Sequence, residues 1–248
     1  MKLLAIETST RQLGVAVRTE DQLLASYDML GELTHAVELP TVVMRMLQAA
    51  QMTLHDLEGI AVDIGPGSFT GLRIGLAFVK ALAFPRRVPV VGVPSMDVLA
   101  SQLPLVSGPV CILIDAKQKN VYGALYHLEE GRVIRHSDYI LGPVDRVLSL
   151  VDQPKTVFLG DGCALYWSRI IERCPDAQQL DPEWWWPRAA TVTRLGAERF
   201  AQGRLDDAAT LVPLYLYPQD CQVRSATRTS SVLPDPTPTL PEATEAQQ

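Results

Sequence analysis

The sequence predicts an α/β protein built from two similar halves, and three observations support this fold class. Short apolar runs of strand length alternate with stretches whose apolar residues follow the helical period. An apolar run that ends in an acid opens the chain at residues 3–7, and a similar run restarts the pattern at residues 110–115. Further strand-like pieces follow each run, as in an antiparallel meander. A chain of 248 residues can hold one large domain or two small ones.

The first half is predicted to begin with three strands that are separated by short polar turns. Helical periodicity then predicts a helix, whose first turn accommodates Pro40. Two more strand–helix pairs complete this half. The predicted strands are 3–6, 14–17, 23–27, 59–64 and 88–93, and the later predicted helices are about 70–84 and 94–103.

One face of the first predicted helix carries a wide apolar stripe. Packing in the chain's own core is the commoner use of such a stripe, and contact with a partner helix is the alternative. The residues alone do not separate the two. Its members are Leu39, Val42, Val43, Met46, Leu47 and Ala50.

The second half is predicted to repeat the strand meander and to add helices. These considerations divide the chain into residues 1–105, residues 106–224 and a tail at 225–248. The tail is rich in Pro, Ser, Thr and Glu, a composition that cannot bury enough apolar surface to order itself, so we expect it to be disordered. The predicted strands are 110–115, 121–127, 132–140 and 156–159, and the helices are 143–151, 162–171 and 190–202.

Composition excludes some function classes. A formal net charge of −6 provides no general field for binding nucleic acid or membranes. The apolar start is interrupted at Glu7, too early for a secretory signal, and no stretch is continuously apolar over the ~18 residues of a membrane helix. We therefore expect a cytoplasmic protein that does not bind membranes.

The cysteines and histidines lack the spacing of metal sites. No CxxC, HxxxH or HExxH motif occurs, and no Ser/His/Asp or Cys/His catalytic arrangement can be inferred. We predict no metal site and no catalytic residues, and buried free thiols rather than disulfides. The cysteines are Cys111, Cys163, Cys174 and Cys221, and the histidines are His35, His55, His127 and His136.

The glycine-rich stretch VDIGPGSFTGLRIGLA, residues 62–77, lies between a predicted strand and a predicted helix. It matches neither the Walker A spacing nor the dinucleotide fingerprint. Gly65 and Gly67 suit a tight turn, and Ser68 or Thr70 can cap the helix. Gly71 and Gly75, four residues apart, leave a flat strip that another backbone can approach closely. Helix packing is therefore favoured over anion binding.

Two turns remain as candidate nucleotide contacts. Glu7, Thr8 and Ser9 place an acid and hydroxyls at a strand end, which suits either a magnesium-bound phosphate or a hydrogen-bonded hairpin, and the hairpin is favoured. Gly160 and Gly162 lie between a strand and a helix. In a duplicated nucleotide-binding fold they would face an adenosine, although turn chemistry alone also explains them.

Three consecutive tryptophans, Trp184, Trp185 and Trp186, cannot all point inward from one element. We expect at least one of them to be exposed or to cover an interface, and a partly buried anchor for the loop is the simpler interpretation.

Several segments together resemble the TsaB (YeaZ) family: LLAIETST, GIAVDIGPGSFTGLRIGLAFVKALA, VPVVGVPSMDVLA and CILIDAKQKNVYGALY. The resemblance is good over residues 1–127 and weak over 156–217. It implies an actin-like, Hsp70-like ATPase (ASKHA) fold with two similar halves. It also implies a role in making N6-threonylcarbamoyladenosine at position 37 of tRNAs that read ANN codons.

The same resemblance implies partners rather than intrinsic catalysis. TsaB-type proteins support the transferase TsaD, the ATPase TsaE joins them, and tRNA is reached through the complex. The implied interface is the Leu39–Ala50 stripe together with the helix of Gly71 and Gly75, and the same helices serve self-association. No cofactor is implied for the chain itself, although weak binding of ATP or ADP with magnesium is expected. The nucleotide candidates are Glu7, Thr8, Ser9, Gly65, Gly67, Ser68, Gly160 and Gly162.

One motif argues against transferase activity in this chain. TsaD-type proteins carry a metal-binding HMEGH, and the matching residues here, SMDVL at 95–99, have Ser95 and Leu99 in place of the histidines. The chain is therefore expected to be a non-catalytic partner. The alternative is a nucleotide-binding enzyme of the same fold class, such as a small-molecule kinase or a carbamoyltransferase.

Overall fold

The first sheet of the computed structural model contains five strands in the order β3-β2-β1-β4-β5. The first three form the predicted antiparallel meander, and β4 and β5 run parallel to β1. The strands are β1 Leu3–Glu7, β2 Gln12–Arg18, β3 Leu23–Leu30, β4 Gly59–Gly65 and β5 Val90–Pro94.

The second sheet repeats this arrangement. Its order is β11-β10-β6-β7-β8, with β9 also paired to β7, so the first strand is again flanked by an antiparallel neighbour and a parallel one. The predicted duplicated α/β fold is thereby confirmed. The strands are β6 Pro109–Asp115, β7 Val121–Glu129, β8 Arg132–Arg135, β9 Ile140–Gly142, β10 Val157–Leu159 and β11 Gln178–Gln179.

Six α-helices connect and cover the sheets within the described residues, which are 1–31, 35–103, 108–129 and 132–217. The predicted tail at 225–248 and Cys221 lie outside them. The helices are α1 His35–Ala49, α2 Phe69–Ala83, α3 Ser95–Ser101, α4 Val144–Leu148, α5 Gly162–Arg173 and α6 Ala189–Ala201.

Both faces of the parallel strands β1, β4 and β5 are buried, which explains why these strands read as continuous apolar runs, whereas the edge strand β3 is largely exposed. Leu4 and Ile6 of β1 belong to a core that includes residues of α1 and α2. Leu3 and Ala5, on the opposite face, belong to a core that includes Val192 of α6. A helix late in the sequence thus packs on the first sheet, and the domain boundaries at 105 and 224 stay predictions.

The predicted strand at 132–140 is two strands, β8 and β9. The break occurs because Leu125 of β7 pairs irregularly there: its carbonyl accepts from the amide of His136, while its amide donates to Ser137 Oγ. The Ser137 hydroxyl thus takes the place of a backbone carbonyl as the acceptor for the Leu125 amide. β11 was not predicted, since Gln178 and Gln179 are polar and exposed and show no strand pattern.

The described cysteines, Cys111, Cys163 and Cys174, are free and buried, as predicted. No helix among the described residues is long and apolar enough to cross a membrane.

Candidate functional site

Two carboxyl groups meet at the ends of adjacent strands in the first sheet. Glu7 ends β1 and Asp63 lies near the end of β4, and these strands are parallel neighbours in which Ile6 is opposite Val62. The strand register therefore brings the two acids together although they are far apart in sequence. Glu7 is 0% exposed and Asp63 is 1% exposed.

Each carboxyl group has one well-satisfied oxygen. Glu7 Oε1 accepts from the Ser9 amide at 2.7 Å and from Ser9 Oγ at 2.6 Å. Asp63 Oδ1 accepts from the Gly65 amide at 2.7 Å and from Ser95 Oγ at 2.6 Å. The turn after β1 is thus the hydrogen-bonded hairpin that the sequence favoured.

Burial raises the pKa of Glu7 well above its ordinary value, and the adjacent Asp63 raises it further. Burial also raises the pKa of Asp63. Sequence reasoning missed Asp63 and Ser95 as members of this site. The available signal was an acid near the end of the predicted strand at 59–64.

The glycines of α2 approach the turn after β1. A Cβ atom added to Gly71 would overlap the carbonyl oxygen of Thr8, and one added to Gly75 would overlap Thr8 Oγ1. The predicted close approach of a backbone is therefore made by the chain itself. The prediction that Gly71 and Gly75 touch a partner needs correction, because both are buried against Thr8.

The loop before α2 closes over the same turn. The Ser68 amide donates to the Ser9 carbonyl at 2.6 Å, and a Cβ atom on Gly67 would overlap that oxygen. Ser68 Oγ caps α2 by accepting from the Gly71 amide at 3.2 Å, as predicted, and Gly65 turns the chain with φ of 97°.

The space that a phosphate would need between loop and turn is therefore filled. Glu7, Thr8 and Ser9 are each 0% exposed. As candidate nucleotide contacts these residues are out of reach of solvent in this structure. Gly67 and Ser68 are half-buried, so the nucleotide prediction depends on these two residues and on the second half of the chain.

The corresponding turn of the second sheet is built from Gly160 and Gly162. A Cβ atom on Gly160 would overlap the Leu113 carbonyl oxygen, and its φ of 104° is one that L residues rarely adopt. Asp161 Oδ1 accepts from the Asp115 amide at 2.9 Å, and burial raises the pKa of Asp161. Close packing on β6 is sufficient to explain both glycines.

Helix α3 joins the two sheets. Ser95 at its start binds Asp63 of the first sheet, while Asp97 Oδ1 accepts from the hydroxyl of Tyr126 in β7 at 2.8 Å. Leu99 is 0% exposed in the core of the second sheet. The residues that replace the histidines of the TsaD-type motif are thus a hydrogen-bond donor to Asp63 and a core residue.

Gln102, which follows α3, organises the tryptophan segment. Its amide nitrogen donates to the carbonyls of Trp184 at 3.1 Å and Trp186 at 2.9 Å, and its oxygen accepts from the Arg188 amide at 3.1 Å. Trp185 is buried with its indole nitrogen donating to the Leu180 carbonyl at 2.9 Å, whereas Trp184 and Trp186 are partly exposed. The segment is therefore a loop anchor with two rings that reach solvent.

The apolar stripe of α1 belongs mainly to the core. Four of its members are between 1% and 4% exposed, so the partner prediction has to be corrected for them: they contact the chain's own sheet. Met46 and Ala50 are half-buried. The four core residues are Leu39, Val42, Val43 and Leu47.

The opposite faces of α1 and α2 carry a different set of apolar residues. On α1, Val37 is 78% exposed and Met44 is 54% exposed, and they lie seven residues apart on one face. On α2, residues at helical spacing form a second stripe that none of the core positions shares. We call these residues the outer face: Val37, Met44, Ile74, Ala77, Phe78, Ala81 and Leu82, all of them exposed or half-buried.

Comparison with known proteins is consistent with this fold. A family model described as "TsaD: tRNA N6-adenosine threonylcarbamoyltransferase" matches residues 30–157. The tRNA threonylcarbamoyladenosine biosynthesis protein TsaB of Bacillus subtilis is 32% identical over 87% of this chain and 94% of its own length. The Escherichia coli protein of the same name is 26% identical over the same shares of both chains.

The solved structure of YeaZ from Pseudomonas aeruginosa is 30% identical and superposes with a TM-score of 0.76, covering 87% of this chain and 99% of that one. The predicted resemblance extends beyond residue 127, because the similarity to the Bacillus relative spans most of both chains. The chain therefore belongs to the TsaB (YeaZ) family.

Proposed function

We propose that this protein acts in the formation of threonylcarbamoyladenosine in tRNA as a non-catalytic partner of a TsaD-type transferase. Family membership supports the process, and the state of α3 supports the non-catalytic role. Ser95 and Asp97 are engaged with Asp63 and Tyr126, and Leu99 is buried. The helix that would carry metal ligands in a transferase is used here to connect two sheets.

The outer face of α1 and α2 is the surface we assign to the transferase. Val37, Met44, Ala77 and Ala81 are exposed on this face, and the half-buried Ile74, Phe78 and Leu82 beside them also pack against the core, whereas the inner stripe lies mainly within the core. Apolar residues that are fully desolvated in an interface contribute most of the affinity in typical complexes. Self-association through the same helices is proposed as the competing use of this face.

The function is tested by reconstitution. Unmodified tRNA with an ANN-reading anticodon is incubated with threonylcarbamoyl-AMP, a TsaD-type transferase, a TsaE-type ATPase and ATP, with and without this chain. We expect modification to depend on the chain and the chain alone to give none. Equal modification without it would reject the proposal.

The surface is tested by comparing the two faces of α1. Met44→Asp places a charge on the outer face and should abolish co-elution with the transferase while the far-ultraviolet circular dichroism is retained. Val42→Asp buries an unpaired charge at a position that is 4% exposed, so we expect that variant to unfold.

A matched control is available in the second half. Leu165 on α5 is 59% exposed, so Leu165→Asp makes the same chemical change on an apolar surface residue outside the outer face. It should retain both fold and transferase binding. Loss of binding in the Leu165→Asp variant, or its retention in Met44→Asp, would contradict the assignment.

A TsaE-type ATPase and tRNA are proposed to join through the transferase complex. Weak binding of ATP or ADP with magnesium stays a prediction, which calorimetry on the isolated chain checks. Tight binding together with turnover by the chain alone would favour the enzyme alternative.

A further inference from the structure

The carboxyl pair at the ends of β1 and β4 holds two oxygens that have no donor. Glu7 Oε2 and Asp63 Oδ2 are buried and receive no hydrogen bond from any donor in the described part of the chain. The two carboxyl groups are neighbours, because each follows directly on the paired residues Ile6 and Val62 of the parallel strands β1 and β4. We propose that Glu7 and Asp63 share one proton between these oxygens, and that this proton keeps α3 docked on the first sheet.

Within the described residues no donor or cation contacts these two oxygens, and the Thr8 hydroxyl, which is also buried without a partner, bonds to neither of them. The remaining oxygens are already satisfied by Ser9, by the Gly65 amide and by Ser95. Two ionised carboxylates in contact within a dry site repel each other strongly, so such pairs retain one proton. Since the two groups titrate together, the proton belongs to the pair.

In the described part of the chain, only neutral groups bond to the pair. The turn after β1 presents Ser9 and α3 presents Ser95, both of them neutral hydroxyls. A further acid, Asp28 of β3, lies across Gly14 from Glu7. The guanidinium of Arg188, next to α6, lowers the pKa of Asp28.

The pair lies at the joint between the sheets. Ser95 donates to the same Asp63 whose second oxygen faces Glu7, and α3 continues to the Asp97–Tyr126 contact with the second sheet. A second negative charge at the pair would repel β1 from β4 and weaken the hydrogen bond between Ser95 and Asp63. Loss of the proton should therefore loosen α3 before it affects the rest of the sheet.

The sign of the pH dependence follows from burial, which raises the folded pKa of Glu7 above the 4.5 of the unfolded chain. The folded state then retains a proton that the unfolded state releases. This contribution to stability is complete below about pH 4.5 and is lost as the pH rises toward the folded pKa. Within that window one retained proton changes the folding equilibrium constant by about tenfold per pH unit.

The test uses the full chain and the isosteric variants Glu7→Gln, Asp63→Asn and the double variant. In either single variant the introduced amide NH2 group donates a hydrogen bond where the shared proton was, so both variants should fold. Their folding equilibrium constant should depend less steeply on pH than that of the wild type, by up to about tenfold per pH unit. In the double variant two amide NH2 groups face each other, so it should be less stable than either single variant.

A spectroscopic measurement avoids dependence on variants. The infrared spectrum of the wild type at neutral pH should contain the C=O stretch of a protonated carboxyl group, which disappears in Glu7→Gln. Amide hydrogen exchange in α3 should accelerate as the pH is raised, after correction for intrinsic exchange. Asp161→Asn makes the same change at a half-buried acid in the turn between β10 and α5, and it should leave this band and the α3 exchange unaltered.

The outcomes are decisive in both directions. A band that Glu7→Gln removes, together with a destabilised double variant, supports the shared proton. Absence of the band in the wild type, or single variants whose losses simply add in the double variant, overturns it. None of these readouts depends on the transferase, so the result is independent of the proposed function.

Discussion

The two sheets have the same strand order, but their first strands end in different electrostatic environments. In the first sheet Glu7 lies beside Asp63 with both side chains fully buried, and no positively charged side chain among the described residues bonds to them. In the second sheet Asp115 is paired at 2.5 Å with Lys117, whose side chain is 81% exposed. A duplicated topology therefore places an acid at the same edge twice, while local packing decides whether that acid is sealed or solvated.

Both edges are closed by backbone, and here the halves agree. A glycine of the following turn or helix lies against the first strand or its turn in each half: Gly71 against Thr8, and Gly160 against Leu113. The difference lies in the side chains. Ser95 of α3 covers the acids of the first sheet, whereas the turn around Lys117 leaves Asp115 partly open.

The largest expected effect tests whether Gly71 and Gly160 contribute equally to stability by packing closely against the backbone of their own half. Gly71→Ala and Gly160→Ala each place a methyl group on a backbone oxygen, so each should lower the free energy of unfolding by about 3 kcal/mol. Gly31→Ala, whose nearest neighbour would be Met29 Cε at 3.9 Å, should change it by less than about 0.5 kcal/mol. Denaturant unfolding measures all three. A harmless change at either closing glycine would break the equivalence.

The next effect concerns the seal on the first sheet. Ser95→Ala removes a 2.6 Å hydrogen bond to the buried Asp63, which should cost about 2 kcal/mol. Ser149→Ala removes a bond of similar length, 2.8 Å, between exposed groups and should cost less than about 0.5 kcal/mol. If Ser95→Ala and Ser149→Ala lowered the free energy of unfolding equally, the buried hydrogen bond of Ser95 would contribute no more to stability than an exposed one.

A smaller effect is expected at the second edge. Asp161→Ala leaves the part-buried Asp115 amide without its acceptor, and we expect a loss of about 1 kcal/mol. Comparing this loss in the free energy of unfolding with that of Ser95→Ala shows which of the two sheet edges depends more on its buried hydrogen bond. A loss larger than that of Ser95→Ala, measured by the same unfolding experiment, would reverse their ranking.

The smallest effect is expected where the second edge is open. Lys117→Met removes an ion pair whose cation is exposed to solvent, so the free energy of unfolding should change by no more than about 0.5 kcal/mol. High salt should have a similarly small effect on the wild type at this pair. A change above about 1 kcal/mol would mean that this edge depends on the ion pair for stability.

The sequence predicted most of the elements because they depend on local patterns. The meander of β1 to β3, the strand before the glycine loop and the Ser68 cap of α2 follow from apolar period and turn chemistry. β11 was not predicted because two polar residues show no alternation of apolar and polar positions. The division of 132–140 into β8 and β9 depends on a side chain of the neighbouring strand, which no local pattern records.

The candidate site was only partly predictable. Glu7, Thr8 and Ser9 were recognised as a hydrogen-bonded turn, because their spacing is local. Asp63 and Ser95 were missed, since their relation to Glu7 exists only once β4 lies beside β1 and α3 is docked. The stripe on α1 was recognised as apolar, but its helical period could not show whether it packs in the chain's own core or against a partner helix.

The sequence by itself determined the order of the elements, the duplicated halves and the family, because these depend on the types and spacing of neighbouring residues. Only the tertiary structure decided that Gly71 and Gly75 serve a contact within the chain, that Val42 is core while Met44 is surface, and that two distant acids form one site. The physical reason is that burial, contact and the ionisation of an acid depend on what lies across from a residue in space.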